Sequence, residues 1–234
     1  MKSNYRIVSG ILAFAVAGVL SASADTISYN FGQVSGGTTP AGAPPWLQAT
    51  FTDTAASTVN LTLSAGNLSG SDFVTCWYFN LNPGMDPANL NLTVSSSTGS
   101  FTAPSVGVGA NGFKAGPDGK FDLLLGFSST GDDSTRFTSG DSLTFTITGI
   151  SGLTADDFSW LSTSAGGKGT YSSAAHIESG APLADAWVNP TSTLRQNADT
   201  SPRVPDGGTT IALLGASLIA IEGFRRKMQL RSSR

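Results

Sequence analysis

Two residue types that carry much of protein chemistry are nearly missing. One cysteine, Cys76, and one histidine, His176, stand in 234 residues. A lone cysteine excludes an intrachain disulfide, and the apolar strand pattern around Cys76 reads as a buried small hydrophobe. With one His and one Cys, a zinc site of that ligand type is excluded, and no metal and no cofactor is assigned. Any Ser–His–Asp or Cys–His site would have to use His176, and no Gly-x-Ser-x-Gly elbow follows the first 24 residues. Glutamate is as scarce. Glu178 is the only one between residues 25 and 204, so spacing selects no pair of glycosidase carboxylates among the many loop aspartates. Charge is thin as well, at 12% of the chain.

The few charges are unevenly placed. Between Asp25 and Val204 there are six basic against fourteen acidic residues, a difference of −8, whereas the whole chain is at −3. The basic residues sit at the two ends. An acidic middle excludes nucleic acid as a partner and disfavours anionic lipid. Ser, Thr, Gly and Asn fill its surface instead.

That middle alternates with period two almost throughout. Ile27, Tyr29 and Phe31 share a face, as do Leu47, Ala49 and Phe51, and then Val59, Leu61 and Leu63. Residues 72–81 form the richest run, with Phe73, Thr75, Trp77, Phe79 and Leu81 on one side and Val74, Cys76 and Tyr78 on the other. Apolar residues on both sides predict a central strand covered on both faces. Leu90, Leu92 and Val94 follow, then Phe121, Leu123, Leu125 and Phe127, then Leu143, Phe145 and Ile147. Pro104 marks the run over 101–108 as an edge. Thr154 with Asp157 three residues on predicts one short helical turn with a capping box. About nine short strands at roughly ten-residue spacing predict an all-β fold, an antiparallel β-sandwich of jelly-roll type. Gly107-Val108-Gly109-Ala110-Asn111-Gly112 matches G-x-G-x-x-G, but Gly116-Pro117 stands where the required helix would run, so it reads as a turn between strands. Aspartates 118, 122, 132, 133 and 141 fall in or beside loops without EF-hand spacing and read as solvated turn residues.

The ends are organised differently. Lys2 and Arg6 precede an apolar run from Ile7 to Leu20, and Ala22-Ser23-Ala24 offers a small-x-small site. Residues 1–24 are therefore expected to be a signal peptide cut after Ala24 by signal peptidase. The strand pattern spans 25–188, and 189–203 is a polar stretch expected to act as a flexible spacer. Then come Val204, Pro205, Asp206, Gly207 and Gly208, an apolar segment over 209–224, and a tail over 225–234 opened by Arg225, Arg226 and Lys227. Proline and two glycines keep 204–208 from joining a helix. Sixteen helical residues rise about 24 Å, short of a hydrocarbon core of about 30 Å. Long basic side chains reaching headgroups extend that span. They also place this end on the cytoplasmic side, as a stop-transfer cluster. Glu222 lies three and four residues before Arg225 and Arg226, on one helix face, and is expected to pair with them.

Motif, short apolar segment and basic cluster, in this order at a chain end, resemble the PEP-CTERM class of sorting signals. The nearest form is the VPDSG-CTERM variant, with Gly207 in the serine position. The resemblance implies recognition by an exosortase, a membrane-embedded protease or transpeptidase of Gram-negative bacteria, with this chain as its substrate. It implies a protein exported across the inner membrane, anchored transiently, and then delivered to the cell surface or extracellular matrix. No catalytic constellation stands out, so a non-enzymatic surface or matrix protein is expected. The rival expectation is a glycan-binding module acting in exopolysaccharide. Trp46 and Trp187, flanking loops, are its candidate sugar contacts, whereas Trp77 reads as core.

Overall fold

The structure, a computed structural model, describes residues 25–165, 167, 169–179 and 185–191. The signal peptide, its Ala22 and Ala24, most of the spacer, the motif, the apolar segment and the basic tail lie outside the described residues. Among the described residues no helix is long and apolar enough to cross a membrane.

Eleven strands form one antiparallel sheet. They are β1 (Thr26–Gly37), β2 (Leu47–Ala55), β3 (Thr58–Ser64), β4 (Asp72–Phe79), β5 (Asn91–Thr98), β6 (Ser105–Lys114), β7 (Lys120–Gly126), β8 (Phe137–Thr138), β9 (Ser142–Thr148), β10 (Ser173–Ser179) and β11 (Asp185–Pro190). The order is β5-β9-β3-β2-β1-β11-β10-β4-β7-β6, with β8 pairing β4 to one side. Although β2 and β4 lie four places apart in that order, Phe51 of β2 meets Phe79 of β4 edge to face, at 5.1 Å between centroids. The sheet therefore folds over on itself, and the apolar face of one half closes on that of the other. This is the expected sandwich, drawn from a single sheet that nearly closes.

The core is the set of residues that alternation placed inward. Ile27, Tyr29, Phe31, Leu47, Ala49, Phe51, Val59, Leu61, Leu63, Leu143, Phe145 and Ile147 all belong to one buried cluster. Beneath the sheet the predicted helical turn is a 3-10 turn, Ala155–Phe158. Its Thr154 N–H and hydroxyl both donate to the Asp157 carboxylate at 2.9 Å, and it delivers Phe158 to stack on Phe51 at 4.3 Å.

Several expectations fail on register. In β4, Cys76 pairs His176 while Val74 pairs Ile177, so Thr75 is an extra residue. A bulge of this kind turns two successive side chains to one side. Val74 consequently joins Trp77 and Phe79 in the main core. Cys76 is a half-buried residue on the outer face rather than a core hydrophobe, packed against a second, smaller cluster that holds Tyr78, Ala115, Phe121 and Ala174. Val94 is 50% exposed, because β5 is a sheet edge and slips register between Val94 and Ser96. The Gly107–Gly112 run is no turn between strands. It lies inside edge strand β6, where the four residues between Val108 and Phe113 are set against one of β7, Asp122, between Leu123 and Phe121. The excess is looped out of the ladder. Asn189 and Pro190, assigned to the spacer, are buried residues of β11, and Thr191 N–H still donates to the Asn30 carbonyl at 3.0 Å. Residues 189–191 therefore belong to the folded domain and not to the stretch expected as a spacer.

Candidate functional site

The motif residues Val204–Gly208 and the cluster Arg225–Lys227 carry the strongest sequence signal and lie outside the described residues. Within the domain, the sequence candidates scatter. Trp46 is 3% exposed, its ring nitrogen donating to the Gly42 carbonyl at 3.2 Å. It is core, and the glycan-contact expectation fails there because the chain from 42 to 46 folds the indole inward. Trp187 is half-buried on the outer face, 4.5 Å from His176 and 5.9 Å from Tyr78 between ring centroids. Gly116, at φ +37°, lays its backbone on that indole where any Cβ would collide. Trp187 is thereby covered, not presented as a platform for a sugar.

The register that fails to bury Cys76 builds a polar cluster around His176. The Thr75 hydroxyl lies 2.7 Å from His176 Nδ1, and His176 Nε2 contacts the Asp185 carboxylate. Glu178 stands 3.6 Å from Nδ1. Hydroxyl, imidazole and carboxylate thus follow in the order of a nucleophile, base and orienting acid. The hydroxyl, however, belongs to a residue 5% exposed. Burial, with Glu178 nearby, pushes the Cys76 thiol up from its ordinary value, against hydrogen bonds to Tyr78 and Thr75 that pull it down. A raised thiol is a poor nucleophile. The cluster ties β4, β10 and β11 together across their outer face.

Of the loop aspartates expected to be solvated, Asp118, Asp122 and Asp141 are buried, because each serves a hydrogen bond within the fold. Asp141 accepts the Thr138 N–H at 2.7 Å. Asp132 accepts from Ser134, whose hydroxyl and N–H hold its carboxyl below the usual range. Asp118 is buried beneath Ser35. Among the described residues no group of three or more His, Cys, Asp and Glu is placed to hold a metal ion.

One concave feature escaped the sequence reading. A cleft of about 230 Å³ opens between the ends of the sheet, where Pro83, Pro87 and the looped-out residues Ala110 and Asn111 approach each other. Asn80, Asn82, Asp122, Trp160 and Leu161 also line it. No local pattern announces it, since its residues come from four separate segments. The one available signal was the pair of asparagines flanking Leu81, polar residues that interrupt the richest apolar run.

No curated protein and no solved structure matches the chain. A family model described as VPDSG-CTERM motif matches residues 203–228. The matched span takes in Val204 to Gly208, the apolar segment and Arg225 to Lys227. The protein thus carries at its C-terminal end a PEP-CTERM-type exosortase sorting signal, which implies export and a cell-surface destination.

Proposed function

We propose that this is a surface or extracellular-matrix protein whose β-domain performs no catalysis. It is exported by way of its signal peptide, held in the membrane by residues 209–224, and cut by an exosortase within or beside Val204–Gly208. The observation that carries this reading is the sorting signal at 203–228. The protein is the substrate there, and the catalyst lies elsewhere. The chemistry of the domain supports the non-catalytic part. Its thiol is raised, the hydroxyl facing His176 is buried, and both imidazole nitrogens are engaged within the fold.

Mass spectrometry of the protein recovered from the cell surface tests the processing. The expected C-terminus falls within or next to Val204–Gly208, and the expected N-terminus is Asp25. A mature chain still bearing Arg225-Arg226-Lys227 would refute the sorting reading. Activity-based labelling tests the other half. A fluorophosphonate probe is expected to leave Thr75 unmodified, and a stable adduct on it would make the domain a hydrolase.

A further inference from the structure

We propose that the cleft at the open seam of the sheet binds a neutral saccharide, one ring at a time. This goes beyond the sorting signal and does not depend on it. The sheet ends in two edges, β5 and β6, and the 3-10 turn Pro87–Asn89 leading into β5 lies against β6. The cleft lies beside that contact, with Pro87 on one side, the looped-out Ala110 and Asn111 on the other, and Asn80 to Pro83 and Trp160 to Leu161 completing its wall. Mouths of nearly closed β-structures are common ligand sites. At about 230 Å³ the space is smaller than the roughly 300–1,000 Å³ of sites for drug-sized ligands. It suits a single small ring.

A sugar ring offers an apolar C–H face and a rim of hydroxyls, each both donor and acceptor. The lining matches both. Half-buried Trp160 and Leu161, which is 48% exposed, supply apolar surface. Amides supply the rest, because a carboxamide donates and accepts at once. Asn80 is 3% exposed. Its Nδ2 is fixed by the carbonyls of Trp160 and Tyr171 at 3.3 and 3.4 Å, which sets the orientation of the amide at the cleft wall. Asn82 is locked by Asp157 at 2.9 Å and by the Gly84 N–H at 3.0 Å.

Asn111 is the exposed tip of the β6 loop-out, in the left-handed region at φ 49°. Its backbone N–H donates to Asp122 Oδ1 at 2.7 Å, while Asp122 Oδ2 accepts from the Leu81 N–H at 2.9 Å. Asp122 is therefore a positioning residue. It spends both oxygens pinning the loop to the end of β4, and among the described residues none bonds the exposed Asn111 side-chain amide, which is open to a ligand. Among the described residues Asp122 is also the one charged residue in the lining, with no Lys or Arg beside it. A carboxylate without a cation repels anionic ligands, which sets the preference for a neutral sugar over an acidic one.

Saturation-transfer NMR and tryptophan fluorescence on the full-length chain test this, with methyl β-D-glucopyranoside, methyl α-D-mannopyranoside, methyl β-D-galactopyranoside and D-glucuronate as probes. At least one neutral glycoside is expected to bind, with a Kd on the order of millimolar. Trp160→Ala is expected to weaken that binding about tenfold. Asn111→Gly keeps a residue suited to φ 49° and so retains the fold; it is expected to weaken binding about three- to tenfold. Glucuronate is expected to bind at least about fivefold more weakly than its neutral counterpart. The proposal is overturned if no neutral glycoside takes up saturation, if Asn111→Gly binds as tightly as the unaltered chain, if glucuronate binds equally well, or if Trp187→Phe on the outer face causes an equal loss.

Discussion

Phe51→Ala is expected to lower the free energy of unfolding by about 3–5 kcal/mol, the range for removing a buried phenylalanine ring. That is a large share of the roughly 5–15 kcal/mol by which domains of this size are stable. Phe51 is fully buried where the folded-over sheet meets the 3-10 turn. It stacks on Phe158 at 4.3 Å and meets Phe79 and Tyr29 edge to face at 5.1 and 6.2 Å. These contacts come from three elements that are far apart in sequence, so no single neighbour can collapse into the space. There is a second cost. The Tyr29 hydroxyl donates to the Phe158 carbonyl at 2.7 Å, and burial pushes that phenol well above its ordinary range. If Phe158 drifts into the cavity, a buried hydroxyl loses its acceptor. Urea unfolding checks this: the midpoint should fall with the slope unchanged. Val94→Ala, on the exposed edge, should stay within about 0.5 kcal/mol of the unaltered protein.

The contrast between Phe51 and Val94 shows what the sequence made legible. Both sit in clean alternating runs. Phe51 lies in β2, paired on both sides by β1 and β3, so its phase is enforced by two ladders. Val94 lies in β5, which among the described residues pairs only with β9, and a slip at the edge costs little there. Period-two reading therefore works where a strand is flanked and fails where it is not. It fails again at Thr75, because a bulge depends on what the partner strand does, and β10 lies about a hundred residues further on. Strand β8 has two residues and no period to read. The His176 cluster and the seam cleft are both products of pairing between distant segments, which is why residue types alone pointed to Trp46 and Trp187 and passed over Asn111 and Trp160. The sorting signal was legible for the opposite reason. Its recognition rests on a contiguous string and needs no tertiary assembly.

Asp118→Asn is expected to raise stability at pH 7 by about 1–2 kcal/mol, the scale of what one unsatisfied buried polar group costs. Asp118 stands in the tight turn joining β6 to β7, its N–H donating to the Ala115 carbonyl at 2.7 Å. It is fully buried. One carboxyl oxygen accepts from the Ser35 hydroxyl at 2.9 Å. Among the described residues the other has no hydrogen-bond partner, the Asn189 side chain lying near it without closing a bond, and the buried Oδ1 of Asn189 has none either. Burial raises the carboxyl above its ordinary 3.8, and the Ser35 and Asn189 side chains oppose that rise without cancelling it. The folded state thus holds a proton that the unfolded state releases between 3.8 and the raised value. Stability from this group is fully present below 3.8 and is lost as pH rises through the raised value. An asparagine keeps an oxygen for Ser35 and carries no charge to desolvate. The variant's advantage should therefore be largest near neutral pH and shrink towards zero below about pH 4. Thermal unfolding of both proteins across that range reads the difference directly, since the other carboxylates contribute equally to each. A variant less stable at pH 7, by an amount that does not change with pH, would mean that the ionised carboxylate is held by a partner stronger than Ser35.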